Sequence, residues 1–129
     1  MEFPVHIGIS KTLGIRGVMA TKLIKKGEII EVCPVIPFES GDWDKIRNSI
    51  LYYYYFDWED DKYALPLGYG VLYNHSYSPN AVYEFDEVNG NLVIRAYKDI
   101  PQEEDILINY NYVPTDNAPI EWLTEKMLG

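Results

Sequence analysis

Apolar and polar positions fall into short stretches along this chain, most of them too brief for a long helix. Residues 5–9, 18–21 and 29–32 are apolar runs with the β-branched content of strands, the last ending at Pro34. Residues 14–17 read as a loop, and Lys25-Lys26-Gly27-Glu28 as a turn. Residues 42–51 break this pattern. Trp43, Ile46, Ile50 and Leu51 share one helical face, and Ser40 or Asp42 can cap it. The aromatic run 52–56 suits a strand, and residues 67–74 suit one or two helical turns. Residues 81–88 and 92–97 flank Asn89-Gly90-Asn91, a hairpin signal because Asn-Gly supplies positive φ angles. An acidic loop over 101–105 leads into a strand over 106–110, and 119–128 form a final helix with Asn117 or Asp116 near its cap. Many short strands and few, brief helices predict a β-dominated α+β domain.

Composition narrows the field. The 129 residues are enough for one domain with one core. Eleven basic against twenty acidic residues give a net charge of −9, which disfavours direct nucleic-acid binding and suits a basic partner. No stretch has the length of a membrane span and no signal peptide is visible. Cys33 is the single cysteine, so neither an internal disulfide nor a cysteine zinc cage is available, and an intracellular, reducing setting is expected.

Candidate chemistry is sparse. His6 and His75 lack metal-ligand spacing, so no metal site is expected. Cys33 could pair with His75 as nucleophile and base, but a lone cysteine between Val32 and Pro34 is more often a small buried hydrophobe. No glycine-rich phosphate loop is present. The segment from Gly70 to Asn80 stands out. Its turn-formers and histidine follow directly on an apolar run, where buried Asn and His need several hydrogen-bond partners.

Three ordered blocks resemble the SET-domain protein lysine methyltransferases. Asn74-His75-Ser76-Tyr77-Ser78-Pro79-Asn80 is similar to the family's Asn-His-Ser-x-x-Pro-Asn signature. Glu103-Glu104-Asp105-Ile106-Leu107-Ile108-Asn109-Tyr110 is similar to its Glu-Glu-Leu-x-x-x-Tyr block, with Asp105 in an unusual place. Leu13-Gly14-Ile15-Arg16-Gly17-Val18-Met19-Ala20 is similar to its N-terminal glycine block. The family's first glycine there falls at Ile15, with Gly14 one place early, and a β-branched residue resists positive φ. The family signature often carries a zinc-binding cysteine where Tyr77 stands.

The resemblance implies a SET fold of several small sheets around a knot-like crossing, over residues 1–112, with 113–129 as a tail that closes the site. It implies S-adenosylmethionine as methyl donor and a lysine of a basic protein, such as a histone, as acceptor. Carried over by position, Ile15, Arg16, Gly17, Asn74 and His75 hold the cofactor, Tyr110 is catalytic, and Tyr83 and Tyr112 line the lysine channel. Trp122 is a candidate for closing the site, against adenine or channel, with a buried helix anchor as the other reading. The run 52–55 is expected to be sheet and core rather than site. A cytoplasmic or nuclear location and a homodimer complete the expectations. The rival readings are a non-catalytic SET-like peptide-binding module and an unrelated β-rich interaction domain.

Overall fold

The structure is a computed structural model that describes residues 2–123. Two strands, β1 (Val5–Ile9) and β2 (Arg16–Ala20), form an antiparallel hairpin. A five-stranded antiparallel sheet has the order β4-β5-β3-β8-β7. Its members are β3 (Ile29–Phe38), β4 (Phe56–Asp57), β5 (Tyr63–Pro66), β7 (Ala81–Asp86) and β8 (Asn91–Ala96). The third sheet is a parallel pair, β6 (Asn74–His75) against β9 (Leu107–Ile108). One short helix, α1 (Ser40–Arg47), and a 3-10 turn, Ile50–Tyr53, lie between β3 and β4. This is the β-dominated α+β domain of small sheets that the sequence predicts.

The core lies where the three sheets meet. Val18 and Ala20 from β2, Ile30 and Cys33 from β3, Leu92 and Ile94 from β8, and Ile108 from β9 are all buried there. Ile24 and Ile100 pair across an isolated bridge and seal one side. Burial of the Val, Ile and Leu side chains among them contributes about 1.5–3 kcal/mol each. Cys33 is fully buried, and burial, with Glu31 beside it, pushes its thiol well above the usual range. It is the small core residue expected, and unsuited to nucleophilic work.

Several elements depart from the sequence reading. The strand expected to stop at Pro34 runs on through Pro37 to Phe38. It changes partners at that point, pairing β8 over residues 29–34 and β5 over 35–38, so the proline interrupts no continuous ladder on one side. Residues 52–55 are not a strand but the end of the 3-10 turn and its exit. Helix α1 starts at Ser40 and ends at Arg47, and Glu39 is its N-cap, without a side-chain bond. Residues 67–73 form turns rather than helix, and β2 starts at Arg16 instead of Val18. Residues 116–120 have no regular structure, and the second half of the helix expected over 119–128 lies outside the described residues. The Asn89-Gly90 turn joins β7 to β8 as expected, with Gly90 at φ 68°.

Candidate active site

The pairing of β6 with β9 brings together segments more than thirty residues apart: Asn74 stands against Leu107 and His75 against Ile108. Asn80 locks them. Its side-chain amide donates to the Asp105 carbonyl at 2.7 Å and accepts from the Leu107 N–H at 2.8 Å, while its own N–H donates to the Leu107 carbonyl. The signature ending at Asn80 is therefore a two-sided clasp on the strand that leads to Tyr110.

Tyr110 is held at both ends. Its backbone N–H donates to His75 Nδ1 at 3.0 Å, which makes that nitrogen an acceptor. Its hydroxyl donates to the Tyr73 carbonyl at 2.6 Å. Tyr73 is fixed in turn: its hydroxyl donates to the buried Glu31 carboxylate at 2.7 Å, and the same carboxylate accepts the Tyr69 N–H. Burial raises the Tyr110 hydroxyl well above its ordinary value, with Tyr54 and Tyr83 adding to the effect, so it is protonated at neutral pH.

Beside Tyr110 lies a cavity of about 510 Å³ walled mainly by aromatic rings, eight of them tyrosines. Tyr83, from β7, is buried and its hydroxyl donates to the Tyr110 carbonyl at 3.3 Å. Tyr112 is half-exposed and adopts φ 76°, a conformation that costs a bulky residue about 1–2 kcal/mol. Its ring stacks on Phe85 at 5.4 Å and meets Tyr83 edge-on at 5.2 Å, contacts that hold it over the cavity. Among the described residues that line it, Asp57 is the one carboxylate, and it is exposed.

Trp122 stacks on Tyr110 at 6.0 Å with an interplanar angle of 18°, and packs against Tyr53 at 5.7 Å. It joins the cavity wall from the tail side. The tail reaches it through polar ties. The Asn109 amide donates to the Asp116 carbonyl, and the Asn111 amide to the Ala118 carbonyl. The Tyr77 hydroxyl donates to the same Ala118 carbonyl at 3.2 Å.

Residues 52–55, expected to be sheet and core, line this cavity. A strand would turn alternate tyrosines away from it, whereas the end of the 3-10 turn and the irregular exit after it leave all four on the wall. The available signal was the absence of polar alternation in Tyr52-Tyr53-Tyr54-Tyr55.

The cofactor candidates form a second cluster. The Asn74 amide donates to the Arg16 carbonyl at 2.9 Å, tying β6 to β2. Gly17 is buried, and a Cβ there would stand 2.5 Å from Asn74 Nδ2. The positive φ feared for Ile15 falls instead on Gly14, at 72°, one residue earlier. Ile15 is half-buried and its carbonyl accepts from Ser10 N–H, while the Arg16 side chain is exposed. His75 is buried beside Asn74 and reaches Tyr110, so it links the two clusters. His6 stands apart, on Glu103 at 3.1 Å. No cluster of three metal-ligating residues occurs among the described residues.

Asp105 is buried at the far end of the Asn80 clasp. Burial disfavours its ionisation, but hydrogen bonds from Ser10, Thr12 and the backbone of Thr12 and Lys11 outweigh it and hold the carboxyl below its usual range.

Comparison with known proteins agrees with this geometry. A family profile described as SET domain matches residues 15–111. The chain is 29% identical over 108 residues to a Schizosaccharomyces pombe protein named histone-lysine N-methyltransferase, H3 lysine-37 specific; the match covers 83% of this chain and 73% of that one. A crystal structure of a Plasmodium falciparum protein, provisionally described as a histone methyltransferase, has a TM-score of 0.72 and 35% identity. The likeness covers 85% of this chain and 95% of that one.

Proposed function

We propose, from the premise that this chain belongs to the SET-domain family, that it is a protein lysine N-methyltransferase using S-adenosylmethionine and acting on a lysine of a basic, histone-type tail. The observation that carries the reading is the double anchoring of Tyr110, by His75 at its backbone and by the Tyr73 carbonyl at its hydroxyl, at the wall of an aromatic cavity.

The cofactor reading is supported by the donor set. Asn74 spends one amide hydrogen on Arg16 and keeps acceptor and donor capacity, and the main chain of residues 15–17 approaches it closely because Gly17 has no side chain. Ile15, Arg16, Gly17, Asn74 and His75 would hold the cofactor between them. When bound, S-adenosylmethionine supplies a methyl group on a positively charged sulfur.

The rest is positioning and desolvation by the chain's own residues. A lysine amine must be neutral to act as a nucleophile, and at its ordinary pKa only about 1 in 1,000 is neutral near pH 7.4. Walls of Tyr83, Phe85, Tyr112 and Tyr110 exclude water and disfavour the ammonium form. Lowering the lysine pKa by about two units corresponds to roughly 2.7 kcal/mol. The fixed hydroxyls of Tyr110 and Tyr83 orient the amine, and Trp122 with the tail closes the cavity beside them. Asp57, exposed at the cavity, meets the lysine while it is still charged.

The net charge of −9 favours a lysine-rich substrate, and the Schizosaccharomyces pombe relative's name supports a histone. Such a substrate implies work in the nucleus. No described helix is long and apolar enough to cross a membrane. Neither the single chain nor the similar proteins support the expected homodimer, and the mechanism makes no use of one. The test is a calorimetric titration with S-adenosylmethionine followed by labelled-methyl transfer to mixed basic proteins. Binding with transfer to lysine supports the reading. Binding without transfer indicates a peptide-binding module, and no binding removes the cofactor assignment.

A further inference from the structure

Asp105 sits at a junction that the methyl-transfer chemistry does not require. It is 5% exposed, and its two carboxylate oxygens take several hydrogen bonds from one turn of the chain. The Ser10 hydroxyl donates at 2.7 Å, the Lys11 N–H at 3.2 Å and the Thr12 N–H at 3.1 Å. Ser10 Oγ passes the link on by accepting from the Leu13 N–H at 3.0 Å. The turn is then closed by Gly14 N–H on the Ser10 carbonyl and by Ser10 N–H on the Ile15 carbonyl. Every backbone donor from 11 to 14 is therefore engaged either by Asp105 or by Ser10, the residue Asp105 holds. The chain leaving this turn is Ile15-Arg16-Gly17, which meets Asn74.

The backbone of Asp105 faces the other way. Its carbonyl accepts from the Asn80 amide at 2.7 Å, and it bridges to Met19 on β2. One residue thus joins the turn before β2 to the clasp that carries Asn74 and His75. We propose that Asp105 is a positioning residue that sets the spacing between the two halves of the cofactor site, the 15–17 segment and the Asn74-His75 strand, and thereby sets cofactor affinity without touching the reacting atoms. The proposal rests on the cofactor reading given above. The carboxylate suits this task because both of its oxygens accept N–H and O–H bonds, whereas an amide offers one acceptor oxygen and an NH2 group that can only donate.

The experiment uses Asp105→Asn, with Ser10→Ala as a milder second variant, in the full chain. S-adenosylhomocysteine is the probe for affinity by calorimetry. Deuterium exchange of the unliganded protein reads the turn itself. In Asp105→Asn the amides of Lys11, Thr12 and Leu13 exchange faster, and the S-adenosylhomocysteine Kd rises by about tenfold or more. At saturating cofactor kcat stays within about twofold, so the loss appears in KM for the cofactor. Ser10→Ala, which removes only the hydroxyl relay, shows the same split at a smaller size, and it carries the test if Asp105→Asn does not fold. Unchanged affinity in a variant whose turn exchanges faster overturns the proposal, as does a fall in kcat with KM unaltered. A wild-type protein that binds no S-adenosylhomocysteine overturns the cofactor reading instead, and the exchange data still report whether Asp105 holds the turn.

Discussion

At the scale of single residues, two positions show how the site depends on what is missing as well as on what is present. Gly17 has no side chain, and the space beside it is filled by the Asn74 amide. Gly17→Ala forces that amide off the Arg16 carbonyl, with an expected loss of about 1–3 kcal/mol in a denaturant melt and weaker binding of S-adenosylhomocysteine. Retained affinity would show that the Asn74–Arg16 contact is incidental. These residues were legible in the sequence because the signature ties specific side chains to specific backbone partners: Asn74 bonds the Arg16 carbonyl, Asn80 the main chain of Asp105 and Leu107, and His75 the Tyr110 N–H. Glu31 was not legible. A buried carboxylate in an apolar strand carries no local signal, and its partners Tyr69 and Tyr73 lie about forty residues away.

At the scale of elements, the readings that held were those whose cause is local. Asn89-Gly90 makes a hairpin because Gly90 accepts φ 68°, and a Cβ there would meet nothing within 4 Å. Gly90→Ala therefore tests backbone strain alone. It should cost about 1–2 kcal/mol and lower Tm by about 4–8 °C, leaving transfer at permissive temperature untouched; a larger effect would mean that the turn packs on something more. The readings that failed were set by distant partners. Pro34 ends no strand because β3 trades β8 for β5 there. Residues 52–55 make no strand because the 3-10 turn sets Tyr52 and Tyr55 around Trp43 of α1, and Tyr53 against Trp122 of the tail. Propensity for a pleated surface yields when the surface a residue covers is a cavity wall.

At the scale of the whole molecule, the tyrosines that build the cavity also set how the protein responds to pH. Burial raises the hydroxyls of Tyr55, Tyr73, Tyr83 and Tyr110 above their ordinary value. Their contribution to stability is complete below the unfolded tyrosine pKa of about 10 and is lost as pH rises beyond it toward the folded values. Asp105 has the opposite sign: its depressed carboxyl stabilises above about pH 4 and ceases to do so as pH falls through its folded value. Tm should be flat between these limits and drop steeply above about pH 10, with tyrosinate absorbance appearing together with unfolding; early, non-cooperative ionisation would mean that the cavity is wet. In the proposed reaction, Tyr110 is the residue at which lysine receives its methyl group. Fragment mass spectrometry of a histone H3 tail peptide, incubated with S-adenosylmethionine and either wild type or Tyr110→Phe, tests this directly. Wild type should leave methyl on a lysine side-chain nitrogen, and the variant should do so about a hundredfold more slowly while binding cofactor equally well. Equal methylation by both proteins, or methyl found only on other side chains, would contradict it.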